Sequence, residues 1–86
     1  MQTNAVKKTL EWHKYGVTSV AISPNGKILP SGGFDNTIKI GNLQTGELEN
    51  TLTGHNDLVY AVAISLDGQT LVSGSADKTV KIWRIP

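Results

Sequence analysis

The 86-residue chain contains no cysteine, which excludes both a disulfide framework and a thiolate-ligated zinc as supplements to a thin core. Aromatic residues make up only 6% of it, and no apolar run approaches the ~18 residues of a membrane-spanning helix. Charge of one sign is equally scarce. Eight basic residues against seven acidic ones leave a net +1, with no basic run that could track a phosphate backbone. Neither nucleic acid nor a membrane surface is therefore expected as a partner. The first residues carry two lysines with no apolar stretch behind them, so they do not read as a secretory signal, and a cytoplasmic protein is the default expectation. A lone domain of this length buries only roughly 60% of the surface its unfolded chain exposes. Stability is expected to depend on association.

What the chain does have is repetition. Shifting the sequence by 42 positions aligns residues 9–44 with 51–86 without a gap, and sixteen of the 36 pairs are identical. A period of this size marks stacked repeat architectures. The identical pairs include His13/His55, Val17/Val59, Val20/Val62, Ser31/Ser73, Gly32/Gly74, Asp35/Asp77 and Thr37/Thr79. The chain divides into a lead-in over 1–8, a first repeat over 9–50 and a second over 51–86.

Within each repeat, short β-rich runs alternate with turn residues, and no segment shows the 3.6-residue apolar period of a helix. The first strand is expected over 17–23 or 58–65, followed by a turn at Asn25-Gly26 or Asp67-Gly68 that needs positive φ angles. The second strand covers 27–32 or 69–74, and a tight turn at Asp35-Asn36 or Asp77-Lys78 leads to the third at 37–41 or 79–83. In the first repeat Gln44-Thr45-Gly46 turns into a fourth strand over 47–53. Each repeat is thus a four-stranded antiparallel meander. The unbroken apolar run Leu58–Ile64 predicts a strand covered on both faces.

Gly54-His55 before the first strand, Ser73-Gly74-Ser75 in the second, Asp77 in the turn and Ile82-Trp83 in the third resemble the WD-repeat β-propeller family, over nearly the whole chain. The resemblance implies an all-β fold of four-stranded antiparallel blades around a channel, two blades per chain. It also implies a structural hydrogen-bond network of His, Ser, Asp and Trp in each blade: His55, Ser73, Asp77 and Trp83 in the second, and His13, Ser31 and Asp35 in the first. Recurrence once per repeat favours this structural role over a Ser-His-Asp catalytic triad. No catalytic residue, metal ligand or cofactor is assigned.

The first repeat departs from the pattern. Gly41 stands where Trp83 stands, and Trp12 takes the place of Gly54. Either Trp12 swings over the vacated space, or Gly41 leaves a cavity costing ~3–5 kcal/mol. Pro30 falls inside a strand, where a bulge or an edge would tolerate it. Asn42 and Arg84 occupy the position where the family usually has the Asp of its name.

Residues 9–13 align with 51–55, the end of a fourth strand, so the chain reads as beginning with an outer strand and ending with a third. The third strand of the second blade is then an open edge, which invites pairing with another chain. The segment from Val6 to Trp12 of a neighbouring copy is the piece expected there. Head-to-tail contacts close into rings, and propellers typically have about four to eight blades. The expected partner is therefore the chain itself, as a tetramer of about eight blades in preference to a trimer of about six. The competing readings are that the sequence is a piece of a longer propeller, or that repeats on another polypeptide complete the ring.

The resemblance further implies a peptide- or protein-binding face at the loops between fourth and first strands. By position its residues are Gly16, Thr18, Leu58 and Tyr60, with Phe34 and Ala76 just before each turn Asp. Phe34 and Tyr60 are the favoured anchors, since rigid aromatics bury much area at small entropic cost. A second reading is a lectin-like propeller that binds glycan through Trp12, Asn56 and Asp57.

Overall fold

The structure is a computed structural model that describes residues 5, 6 and 8–85. Seven strands follow one another: β1 (Val17–Val20), β2 (Ile28–Gly33), β3 (Ile38–Asn42), β4 (Leu48–Leu52), β5 (Val59–Ile64), β6 (Thr70–Ser75) and β7 (Val80–Arg84). They form a four-stranded antiparallel sheet in the order β1-β2-β3-β4 and a three-stranded one in the order β5-β6-β7, here called blade 1 and blade 2. Among the described residues there is no helix.

The turns explain why the strands break where they do. Gly26 and Gly68 both sit at φ 72°, the left-handed region that glycine enters without strain. At the β2–β3 and β6–β7 turns the left-handed residue is Asn36 (φ 68°) or Lys78 (φ 74°). In the β1–β2 turn, Ser23 Oγ accepts from the Ile28 amide at 2.9 Å, as Ser65 Oγ does from Thr70 at 3.1 Å. The recurring serine thus secures the entry to each second strand.

Three features differ from what the sequence predicts. Residues 8–13 form no strand: an outer strand pairs with a third strand of another blade, and among the described residues both third strands are placed elsewhere in the sheets. Pro30 is neither at an edge nor at a bulge. It lies buried in the central strand β2, opposite Ile40. The Ala21 amide donates to the Pro30 carbonyl at 3.1 Å, but Pro30 has no N–H to return, and the β1 ladder stops at Val20. In blade 2, with Val72 at the same repeat position, the ladder continues to Ile64. Finally, β5 is covered on one face only: Val59 and Val62 are buried, while Tyr60, Ala61 and Ala63 are exposed.

The core lies between the blades. Ile38 and Ile40 of blade 1 pack with Val59, Val62 and Leu71 of blade 2, flanked by Ala21, Ile28, Leu52, Ile64, Trp83 and Ile85. Equivalent residues consequently have opposite fates. Val59 and Val62 are 0% and 8% exposed, whereas Val17 and Val20 are 54% and 60% exposed. Ile38 and Ile40 are 0% and 1% exposed, whereas Val80 and Ile82 are 71% and 76% exposed.

Candidate functional site: the blade networks and the two open faces

Each blade carries one hydrogen-bond chain that runs from the loop before its first strand to its β2–β3 or β6–β7 turn. In blade 2, His55 Nδ1 lies 3.0 Å from Asp77 Oδ2 and His55 Nε2 lies 2.6 Å from Ser73 Oγ. The Trp83 indole N–H donates to Ser73 Oγ at 2.8 Å. An ionised carboxylate only accepts, so His55 donates from Nδ1, accepts the seryl proton at Nε2, and Ser73 in turn accepts from Trp83. Every member is satisfied, as a buried polar network requires. The Trp83 ring also meets the His55 ring edge-on, with centroids 6.2 Å apart.

Blade 1 repeats the arrangement without its indole donor on β3. His13 Nδ1 is 3.1 Å from Asp35 Oδ2 and His13 Nε2 is 2.7 Å from Ser31 Oγ. The tryptophan has moved to the other side of the same space. The Trp12 ring occupies the room that a Cβ on Gly41 would need, just as the Trp83 ring lies 3.0 Å from a Cβ built on Gly54. One indole fills each blade, from β7 in one and from the segment before β1 in the other.

Thr37 and Thr79 belong to these networks and were not singled out from the sequence, although they are among the identical pairs. Thr37 Oγ1 donates to Asp35 Oδ1 at 2.7 Å and Thr79 Oγ1 donates to Asp77 Oδ1 at 2.5 Å. Burial pushes the Asp35 carboxyl up, but the hydrogen bonds from Thr37 and His13 outweigh it and hold the pKa below the ordinary value of 3.8. The Thr79 hydroxyl, opposed by burial and aided by the Asn56 amide and His55, holds the Asp77 carboxyl far below that value.

Ser31, His13 and Asp35, like their blade 2 counterparts, approach the distances of a hydrolase triad. Both seryl residues are buried, and Ser73 Oγ is engaged by the Trp83 N–H. Ser31 and His13 border the groove on the open face of blade 1, and Ser31 has no indole N–H in the place that Trp83 takes at Ser73. Among the described residues, no group of three or more His, Asp or Glu could hold a metal ion.

The residues expected to bind a partner fall into two places. At the loop end of blade 1, the Phe34 amide donates to the Gly16 carbonyl at 3.0 Å, and one side of the half-exposed Phe34 ring, Cδ2 and Cε2, lies against Gly16, where any Cβ would clash with it. At the same end of blade 2, the Ala76 amide donates to the Leu58 carbonyl at 3.0 Å. Tyr15, exposed and close in sequence to the Phe34 platform, adds a second aromatic that the sequence reading did not pick out. Thr18 lies elsewhere. Its hydroxyl donates to the Val59 carbonyl across the seam between blades, and Tyr60, at the equivalent position of blade 2, is exposed. Asn56 donates its amide to Asp77, and Trp12 is taken up by Gly41.

The open face of blade 1 is concave. A groove of about 230 Å³ is lined by Leu10, Trp12, Val17, Val20 and Leu29 among others. A larger one of about 690 Å³ lies between Val6, Lys8 and Leu10, ahead of β1, and Leu29, Leu43 and Gln44 of the blade. Lys8 Nζ donates to the Thr45 carbonyl at 2.9 Å and keeps the lead-in beside the β3–β4 turn.

Comparison with curated proteins finds no match for this chain. The family model of the WD domain, G-beta repeat, matches residues 4–40 and 46–84. Two tandem matches over most of the length agree with the two blades and their duplicated networks. Repeats of this kind generally serve as platforms for protein interaction. The chain belongs to the WD domain, G-beta repeat family.

Proposed function

We propose that this chain is a non-catalytic interaction scaffold, a two-blade unit that joins further copies head to tail in a closed propeller. The assembled ring presents a peptide- or protein-binding surface at its loop ends. The observation that carries the reading is the reciprocity of the two open faces. Blade 1 exposes the face that blade 2 buries, and blade 2 exposes the face that blade 1 buries. Apolar faces of this extent on a small soluble protein mark an interaction site. A head-to-tail contact between such non-identical faces generates a ring when its rotation closes. The open edge of β7 would then receive the lead-in around Val6–Trp12 of the next copy as its fourth strand.

On such a ring the Phe34 ring, set against Gly16, recurs once per chain, with the exposed Tyr15 next to Gly16 in sequence. Leu58 and Ala76 form the apolar counterpart in the alternate blades. A repeated aromatic on a rigid support suits a repeated or extended peptide ligand, whose weak single contacts multiply.

Light scattering coupled to size exclusion tests the assembly. The expected mass is three or four times that of the 9.2 kDa chain. A folded particle with the mass of one chain would overturn the reading.

A further inference from the structure

The seam between the two blades is built as a knob in a socket. Gly32 of β2 has no side chain, and Val59 fills the room left: a Cβ there would lie 2.7 Å from Val59 Cγ1 and 3.4 Å from Val62 Cγ1. Val59 is fully buried as a result. Two polar contacts fasten the joint, from the Thr18 hydroxyl to the Val59 carbonyl and from the Val62 amide to Ser19 Oγ at 3.3 Å.

One repeat further on, the same parts are present but unassembled. Gly74 stands in the place of Gly32, and a Cβ there would meet nothing within 4 Å. Val17 and Val20 stand in the place of Val59 and Val62, and both are exposed. Val80 and Ile82 flank the empty socket as Ile38 and Ile40 flank the filled one. We propose that Gly74 is the socket for Val17 of a second copy of this chain, so that the seam between copies continues the seam within each. The inference rests on the head-to-tail reading above and assigns it a specific contact.

The outer seam is not a perfect copy. Tyr60 replaces Thr18 and Ala61 replaces Ser19, so the two hydroxyls that fasten the inner joint are missing from the outer one. The joint between copies is thereby apolar at its centre, and it opens before the joint within a chain.

The test uses the full chain with Gly74→Val. The added side chain enters open space on a strand of ordinary backbone geometry, so the β-sheet circular dichroism of the dilute chain is expected to stay unchanged. The concentration at half-assembly, read by light scattering, is expected to rise at least tenfold, about 1.4 kcal/mol. Val17→Ser probes the knob from an exposed position and is expected to produce the same rise, which covers the case in which Gly74→Val fails to fold. An unchanged assembly for both variants, with the parent chain assembled, overturns the socket and leaves the head-to-tail reading in place. A parent chain that stays single at every concentration overturns that reading, and the socket with it.

Discussion

Blade 1 and blade 2 place identical or closely similar residues at equivalent positions, yet each buries what the other exposes. In blade 1 the Ile38 and Ile40 face is dry and the Val17 and Val20 face is wet; in blade 2 the order is reversed. Burial here is a property of neighbours and not of residue type, since the four valines compared at β1 and β5 differ only in what lies across from them. A repeat protein buries each unit against the next, and a pair of units therefore always ends in two unmatched faces. The difference between the blades is the difference between a face with a neighbour in this chain and one without.

The indoles offer the largest perturbation of that comparison. Because Trp12 already fills the space over Gly41, Gly41→Trp is expected to lower the melting temperature, overpacking by about 1–3 kcal/mol. Trp12→Gly empties the space and costs on the order of 3–5 kcal/mol. Combining the two moves the indole to its blade 2 position, where it could donate to Ser31. The double variant is expected to recover most of the loss from Trp12→Gly. Thermal unfolding of the three variants checks this, and a double variant no better than Trp12→Gly alone would show that the two blades are not interchangeable at this site.

Truncations on the two faces sharpen the comparison further. Ile38→Ala should cost about 2–5 kcal/mol at any concentration, since its face is covered within the chain. Val80→Ala should change the dilute chain by less than about 0.5 kcal/mol, as an exposed substitution does. At concentrations where copies assemble, Val80 becomes the counterpart of Ile38, and its cost should rise to 0.5 kcal/mol or more. Denaturant titrations at two protein concentrations separate these outcomes. A cost for Val80→Ala that ignores concentration would contradict burial of this face between copies.

The turn aspartates give a smaller, pH-dependent contrast. Both carboxyls are held below their ordinary value of 3.8 in the folded chain. The folded state thus favours the ionised form, and the resulting stabilisation is complete above the unfolded value and lost as pH falls through the lowered folded values. Melting temperature is expected to drop on acidification below about pH 4. Asp77→Asn should lower the neutral melting temperature and make the acid drop shallower, because one of the two groups responsible is gone. An equally steep drop in the variant would place the acid sensitivity elsewhere.

Much of this molecule was legible in the sequence because the repeat supplied an internal control. Positions that recur at the same offset, such as His13/His55 and Asp35/Asp77, mark a constraint without any alignment, and the strand limits follow from the Gly and Asp turns to within about one residue for most strands. What stayed hidden depended on packing between units. Pro30 reads as a bulge or edge residue because its missing N–H is visible in the sequence, while the direction in which that N–H would point is not. The exchange of Trp12 and Trp83 was visible as two departures from the pattern, but only the meeting of the lead-in with β3 shows that they compensate. Thr18 and Tyr60 align as loop-end residues, and the seam became apparent only from the carbonyl that Thr18 reaches.

The finest difference between the blades lies in their tight turns. Asn36 and Lys78 both adopt positive φ, at 68° and 74°, where the Cβ of either crowds the following carbonyl at a cost of roughly 1–2 kcal/mol, but asparagine enters this region more readily because its short polar side chain can hydrogen-bond locally. The turn of blade 2 holds this conformation because Asp77 is anchored by Thr79 and Asn56 and the Lys78 amide donates to the Ser75 carbonyl at 3.2 Å. Blade 2 therefore carries more of this strain than blade 1. Lys78→Asn should relieve it and stabilise the chain by about 0.5–1 kcal/mol, while Asn36→Lys should destabilise it by a similar amount. Equal and opposite shifts would show that the two turns are equivalent apart from this residue. A null effect of Lys78→Asn would mean that contacts of the lysine side chain offset its backbone strain, a compensation that exchanging the residues between turns would then remove from one blade and leave absent from the other.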